Sequence, residues 1–187
     1  MRTVLVAPVV LLLASAAACG GSDAKPSPVH TAANGTVFNN ADAAFATDLL
    51  KQRAEELSLV DLTVGREVSP GFSAFADQAR EVRSTDVQTV TLWLTDWDRT
   101  VPETVRDHAN AHEGTGGHHD LEKLTGSAFE EAWVKAFLEE LEDTDAIAER
   151  EQTAGKFSEA IDLAESTEAS VDDESDQLED GFGSATP

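Results

Sequence analysis

The sequence predicts an all-α protein, an antiparallel four-helix bundle made of two helical hairpins. Three observations predict it. Apolar residues recur at three- and four-residue intervals in four separate stretches. Asparagine, proline, serine and glycine stand at the ends of those stretches, where helix caps and stops belong. A long polar segment divides the four stretches two and two, as a connection between hairpins does. The length, 187 residues, suits one domain.

Taken in order, Met1-Arg2 and the apolar run from Val4 to Ala18 read as an export signal over residues 1–18. The run is too short and wrongly flanked for a membrane-spanning helix. Its end, Ala16-Ala17-Ala18-Cys19-Gly20-Gly21-Ser22, is similar to a bacterial lipobox, with Ala16 where that motif prefers leucine. Cys19 is then the lipidated first residue of the mature chain, and a lipid tether does the work of a spanning helix. A lone cysteine leaves no intramolecular disulfide to form. Residues 19–37, with Pro26, Pro28 and the turn signal Asn34-Gly35, lack periodicity and are expected to be a flexible, disordered stalk.

Asn39 or Asn40 caps the first helix, whose stripe is Phe45, Leu49, Leu57, Val60 and Val64 and whose stop is Gly65. Ser69-Pro70 opens the second, with proline in the first turn where its missing N–H is not needed. Its stripe runs through Phe72, Phe75, Ala79, Val82, Val90, Trp93 and Trp97, interrupted by Asp86, which a neighbouring helix or water must satisfy. These two helices make the first hairpin, residues 38–98. Residues 99–119 form a loop bearing charge, three glycines and four histidines.

The second hairpin, residues 120–180, resumes helical spacing weakly at Leu121 and Leu124. Ser127 then caps a helix carrying Phe129, Trp133, Ala136, Phe137, Leu141 and Ile147. Gly155 punctuates, and a fourth stripe passes through Phe157, Ile161, Ala164, Val171 and Leu178. Residues 139–187 hold 17 acidic and 2 basic groups, so self-repulsion is expected to fray the C-terminal part of that helix, from about residue 165. Residues 181–187 are read as a tail after the bundle.

The residues at the helix starts carry a resemblance. Phe38-Asn39-Asn40-Ala41-Asp42-Ala43-Ala44-Phe45 with Leu49-Leu50 resembles the opening of the bacterial family catalogued as domain of unknown function 305 (DUF305). Gly126-Ser127-Ala128-Phe129-Glu130, with Trp133, Phe137 and Leu138, resembles the same opening in that family's second half. Asp86-Val87, Val90, Trp93-Leu94 and Trp97 fit its acidic–apolar and Trp-Leu pattern. The resemblance implies an extracytoplasmic, ferritin-like four-helix bundle, some members of which bind copper through histidine and methionine. It implies no catalysis.

This chain departs from the family at the metal positions. The paired histidines of the first half fall on Gln52 and Arg53, and those of the second on Glu140 and Leu141. The methionines that follow are matched by Leu59 and Ile147, and Met1 belongs to the signal. Thioether ligands select Cu(I), so their loss removes that route. Arginine cannot ligate a cation. Leucine or isoleucine for methionine keeps the packing volume, so the fold survives the loss. An ion pair between Arg53 and Glu140 is the expected replacement for the metal.

Other candidate chemistry lies in the loop. His108 and His112 stand four apart, on one face if that segment is helical, and Glu113, His118, His119 and Asp120 follow. Imidazole with carboxylate suits Cu(II) or Zn(II). The ordinary reading of the four histidines is a solvated linker, since their spacing matches no named zinc motif and glycine makes ordering costly. His-x-x-x-His-Glu is not the metalloprotease order. Asp172, Glu174 and Asp176 alternate like a calcium loop, yet Gln177 stands where glycine is required.

With 36 acidic against 13 basic groups, a formal charge of -23 argues against nucleic acid and anionic membrane surfaces as partners. No activated nucleophile motif or phosphate loop points to an enzyme. The reading is a non-catalytic exported lipoprotein, held to the bacterial membrane by its lipid and acting as a binding module that has lost copper ligands. The alternative is an extracytoplasmic metal-homeostasis protein using Cu(II) or Zn(II) on the His108–Asp120 loop. The sequence specifies neither a protein partner nor an oligomeric state.

Overall fold

The computed structural model describes residues 27–103 and 120–182. Cys19, the export signal, His108, His112, His118, His119 and residues 183–187 lie outside the described residues. Strands β1 (Val29–Thr31) and β2 (Val37–Asn39) precede four helices, α1 (Asn40–Asp61), α2 (Pro70–Asp96), α3 (Gly126–Ala154) and α4 (Ser158–Phe182). A 3-10 turn, Leu121–Lys123, leads into α3. The helices pack as two antiparallel hairpins, α1 on α2 and α3 on α4, joined face to face chiefly through α1 and α3. The all-α, four-helix expectation holds.

The described part of the expected stalk contains two short strands. β1 and β2 form a two-stranded antiparallel hairpin with His30 opposite Phe38. Its turn uses Asn34-Gly35, where Gly35 takes a φ of 90° that a side chain would resist. Phe38 is buried and stacks on Trp97 at 4.5 Å between ring centroids, and Asn34 donates to Asp96, so the hairpin is tied to the end of α2. Periodicity missed it because three-residue strands are too short to show one.

Helix α1 starts in a capping box. The Asn39 side chain accepts from the N–H groups of Ala41 and Asp42, and Asp42 accepts in return from the Asn39 N–H. The same two residues reach across the fold. Asn39 Nδ2 donates to the Ala154 carbonyl at 2.8 Å, and the N–H groups of Lys156 and Phe157 donate to Asp42 Oδ1 at 2.7 and 3.0 Å. The short polar motif opening the first hairpin therefore clasps the turn of the second. Helix α1 ends at Asp61, before the expected stop at Gly65, and Val64 is exposed rather than on the core stripe.

Helix α2 begins at Pro70 as expected. Ser69 makes no side-chain cap bond, and its N–H and hydroxyl instead bond Glu130 of α3. Thr125, not Ser127, occupies the cap position of α3. The fourth helix does not fray within the described residues: it runs to Phe182, burying Ala160, Ala164, Thr167, Val171, Glu174 and Leu178. Its acidic groups lie mostly on the opposite, solvated face, where water screens their repulsion. No described helix is long and apolar enough to cross a membrane.

The core has two apolar halves. One gathers Leu59, Phe72, Phe75, Phe129, Trp133, Phe137, Leu141 and Leu178, with the Trp133 Nε1 donating to the Leu59 carbonyl at 2.7 Å. The other gathers Phe38, Phe45, Leu49, Leu50, Val90, Leu94, Trp97, Ile147 and Ala148. Leu59 and Ile147, the positions matched to family methionines, are thus packing residues, one in each half.

Candidate functional site

A layer of buried charge separates the two halves. The apolar stripe of α1 passes from Leu49 and Leu50 to Leu59 and Val60 through Arg53 and Glu56. That of α2 passes from Ala79 to Val90 through Arg83 and Asp86. Arg83 is buried, while Val82, expected on the stripe, is only partly so. Thr144 of α3 and Glu174 of α4 complete the layer. Arginines bury well here because a planar guanidinium carries five fixed donors that two carboxylates can saturate.

Glu56 is the hub and is fully buried, at 0% exposure. It accepts from Arg53 Nη1 at 2.7 and 3.0 Å, from Arg83 Nε at 2.8 Å and from the Thr144 hydroxyl at 2.5 Å. Burial by itself would raise its pKa, but Arg53, Arg83 and the Thr144 bond outweigh it and hold the carboxyl below its ordinary value. Arg53 Nε also donates to Asp86 Oδ2 at 2.9 Å. Arg83 holds Glu174 in a fork, Nη1 at 2.6 Å and Nη2 at 2.5 Å, and lies over the Phe137 ring at 5.0 Å. Burial raises Asp86 despite its bond to Arg53.

Beside this layer, Gln52 Nε2 donates to Glu140 Oε2 at 2.7 Å and to the Glu140 carbonyl at 3.0 Å. Burial pushes Glu140 up to about 7, against the lowering effect of the Gln52 bond and with the help of nearby Glu55, Glu56 and Asp143. The expected Arg53–Glu140 pair is therefore corrected: Arg53 serves Glu56 and Asp86, and Glu140 is held by Gln52. The reason is reach. Arg53 faces α2 inside the first hairpin, whereas Gln52 lies against α3. Leu141 is an ordinary core residue.

The donor set at Gln52, Arg53, Glu140 and Leu141 does not fit a copper ion. It offers neither imidazole nor thioether, and the two guanidinium groups of the layer would repel a cation. Among the described residues no cluster of three histidine, cysteine or acidic side chains is arranged to hold a metal. Chemically the layer can hold helices in register. Its acceptors and donors are turned on one another, which leaves little for a substrate.

Sequence reading singled out Arg53 and Asp86, named Glu174 only in a calcium-like alternation, and missed Glu56, Arg83 and Thr144. A signal existed: each lies three or four residues from a buried apolar neighbour, so the stripes run unbroken once charged residues are admitted to them.

The family model described as "Domain of unknown function (DUF305)" matches residues 42–181. Among solved structures, a DUF305 protein from Streptomyces coelicolor, named as a secreted protein, is similar in fold, with a TM-score of 0.65 and 17% identity. The alignment covers 75% of this chain and 89% of that one. No curated protein matches the chain.

Proposed function

The chain belongs to the DUF305 family, and from that premise we propose that it is a non-catalytic, extracytoplasmic binding module displayed on a lipid anchor at Cys19. One observation carries the reading: the positions matched to the family's metal ligands are taken up by the Arg53–Glu56–Arg83 layer and by the Gln52–Glu140 bond. A bundle whose centre is closed by ion pairs keeps its shape without a metal and works through its surface. The secreted name of the Streptomyces coelicolor protein and the export signal read at residues 1–18 support a place outside the cytoplasm.

Calorimetric titration of Cu(II) and Zn(II) into the mature chain tests this reading. A parallel sample has His108, His112, His118 and His119 all changed to alanine. The expected result is weak, unsaturable heat in both. Stoichiometric binding that the quadruple variant abolishes would move the function to metal handling by the loop. For the anchor, incorporation of labelled fatty acid that Cys19→Ser abolishes is expected; unchanged labelling would remove it.

A further inference from the structure

Two carboxyl groups meet inside the end of the bundle where α1 starts and α3 stops. Asp42 is fully buried, Glu151 is only 1% exposed, and their side chains are hydrogen-bonded to each other. Two ionised carboxylates have no proton with which to make that bond, so one of the pair is the acid. The donors around them say which. One oxygen of Asp42 accepts from the N–H of Asn39, and the other accepts from those of Lys156 and Phe157 at 2.7 and 3.0 Å. Such a ring of donors answers an ionised carboxylate. Neither oxygen of Glu151 receives a hydrogen bond from another described residue, so Glu151 brings the proton and donates it to Asp42.

The pair sits at a joint between the two hairpins. Beside it, Asn39 Nδ2 donates to the Ala154 carbonyl at 2.8 Å, so the start of α1 holds the α3–α4 turn from both sides. Phe157, in that turn, lies edge-on to Trp93 and Trp97 with ring centroids at 5.3 Å. Gly155 closes over Glu151 so tightly that a β-carbon there would stand 2.7 Å from the carboxyl carbon. Water has almost no access to the shared proton.

We propose that Asp42 and Glu151 form a one-proton latch: the proton between them fastens the α3–α4 turn to the start of α1, and its loss lets that turn open while the central ionic layer still holds the helices. Without the proton, two carboxylates would touch in a dry interior, where burial and mutual repulsion both oppose the closed turn.

Asp42 of α1 is the charged group in contact with Glu151. Asp48 of α1 and Arg150 of α3 pair with each other at 3.6 Å nearer the surface. The side chains of Glu149 on α3, Lys156 in the turn and Glu159 at the start of α4 are exposed, and His30 of β1 bonds Asn40. Burial first, then the bond to Asp42 and its charge, pushes Glu151 up to about 9, whereas a glutamate freed into water ionises near 4.5. Between these values, opening releases one proton from Glu151 to the solvent. Closure is therefore favoured in acid. The closed-to-open ratio falls by about tenfold per pH unit as pH rises and levels off above about 9. The sign is opposite to that of Glu56, whose stabilisation is lost in acid. The latch does not rest on the binding role proposed above.

The test is amide hydrogen exchange of the mature chain, followed residue by residue by NMR from pH 6 to 9 and corrected for base catalysis of exchange itself. Protection of the Lys156 and Phe157 amides is expected to fall by about tenfold per pH unit, with that of Leu57 in the middle of α1 staying at least tenfold higher. Glu151→Gln keeps the shape and supplies an amide N–H that donates to Asp42 at every pH, so its protection is expected not to vary with pH. The Glu151 carboxyl carbon of the wild type should titrate near 9, a reading that needs no variant. Four results would each overturn the latch: wild-type protection that does not change with pH, the same slope in Glu151→Gln, titration of Glu151 near 4.5, or Leu57 no better protected than the turn.

Discussion

Glu56→Gln tests the central layer most directly. The carboxylate answers two guanidinium groups at 2.7 and 2.8 Å and a hydroxyl at 2.5 Å, with no exposure to water. The amide keeps the volume but removes the charge and presents NH₂ donors where Arg53 and Arg83 also donate. At an effective dielectric near 20, each arginine contact is worth at least about 4 kcal/mol, against desolvation of several kcal/mol per ion. Removing one partner of a buried pair typically costs about 3–5 kcal/mol, because the desolvated charges remain. That cost is expected here, read from urea unfolding followed by helical circular dichroism. It must also depend on pH. The folded pKa of Glu56 lies below its ordinary 4.5, so its stabilisation is full above the unfolded value and lost as pH falls through the folded one. The gap between wild type and variant should therefore close in acid. A difference below about 0.5 kcal/mol at pH 7, or one that does not shrink in acid, would refute the buried ionic hub.

Four further outcomes follow from the same geometry. Changing Arg53, Glu56, Arg83, Asp86 and Glu174 together to apolar residues of similar size should be neutral or stabilising by about 1–4 kcal/mol, and a large loss of urea stability would contradict the desolvation argument. Glu140→Gln should flatten the pH dependence between 4.5 and 7. The unfolded chain ionises this group near 4.5 and the folded one near 7, so stability is lost as pH rises through that window, on the order of 2 kcal/mol once solvent screening of this half-exposed group is discounted, and thermal melts at pH 5 and 8 measure it. Gly155→Ala should cost roughly 1–3 kcal/mol by overpacking against Glu151, seen as a lower urea midpoint. Phe38→Ala should free the N-terminal hairpin from Trp97, seen as faster proteolysis before residue 40 and a tryptophan emission change.

Much of the fold was legible in the sequence because it rests on near neighbours. Ser69-Pro70 announced the start of α2, Asn39-Asn40 the capped start of α1, and the four stripes their helices, since caps and stripes are satisfied within one or two turns. The stripes were misplaced where charge entered them and where α1 stopped at Asp61, ahead of Val64. Val82 was expected inside and Arg83 and Glu56 were left off the stripes, because hydropathy alone cannot tell a solvated arginine from a paired one. The short hairpin at Val29–Thr31 and Val37–Asn39 was likewise hidden, its Asn34-Gly35 turn being visible but its pairing not.

What the sequence by itself determined is the set of helices, their order and the absence of histidine and methionine at the family's metal positions. What only the tertiary structure decided is who partners whom. Arg83 meets Glu174 across 91 residues and Gln52 meets Glu140 across 88. Asp42 accepts from the N–H groups of Lys156 and Phe157, more than a hundred positions away, at the α3–α4 turn. Helix formation is a local free energy, fixed by residues three and four apart. The pairing of buried charge is set by distance and desolvation between helices that only the packed bundle brings together.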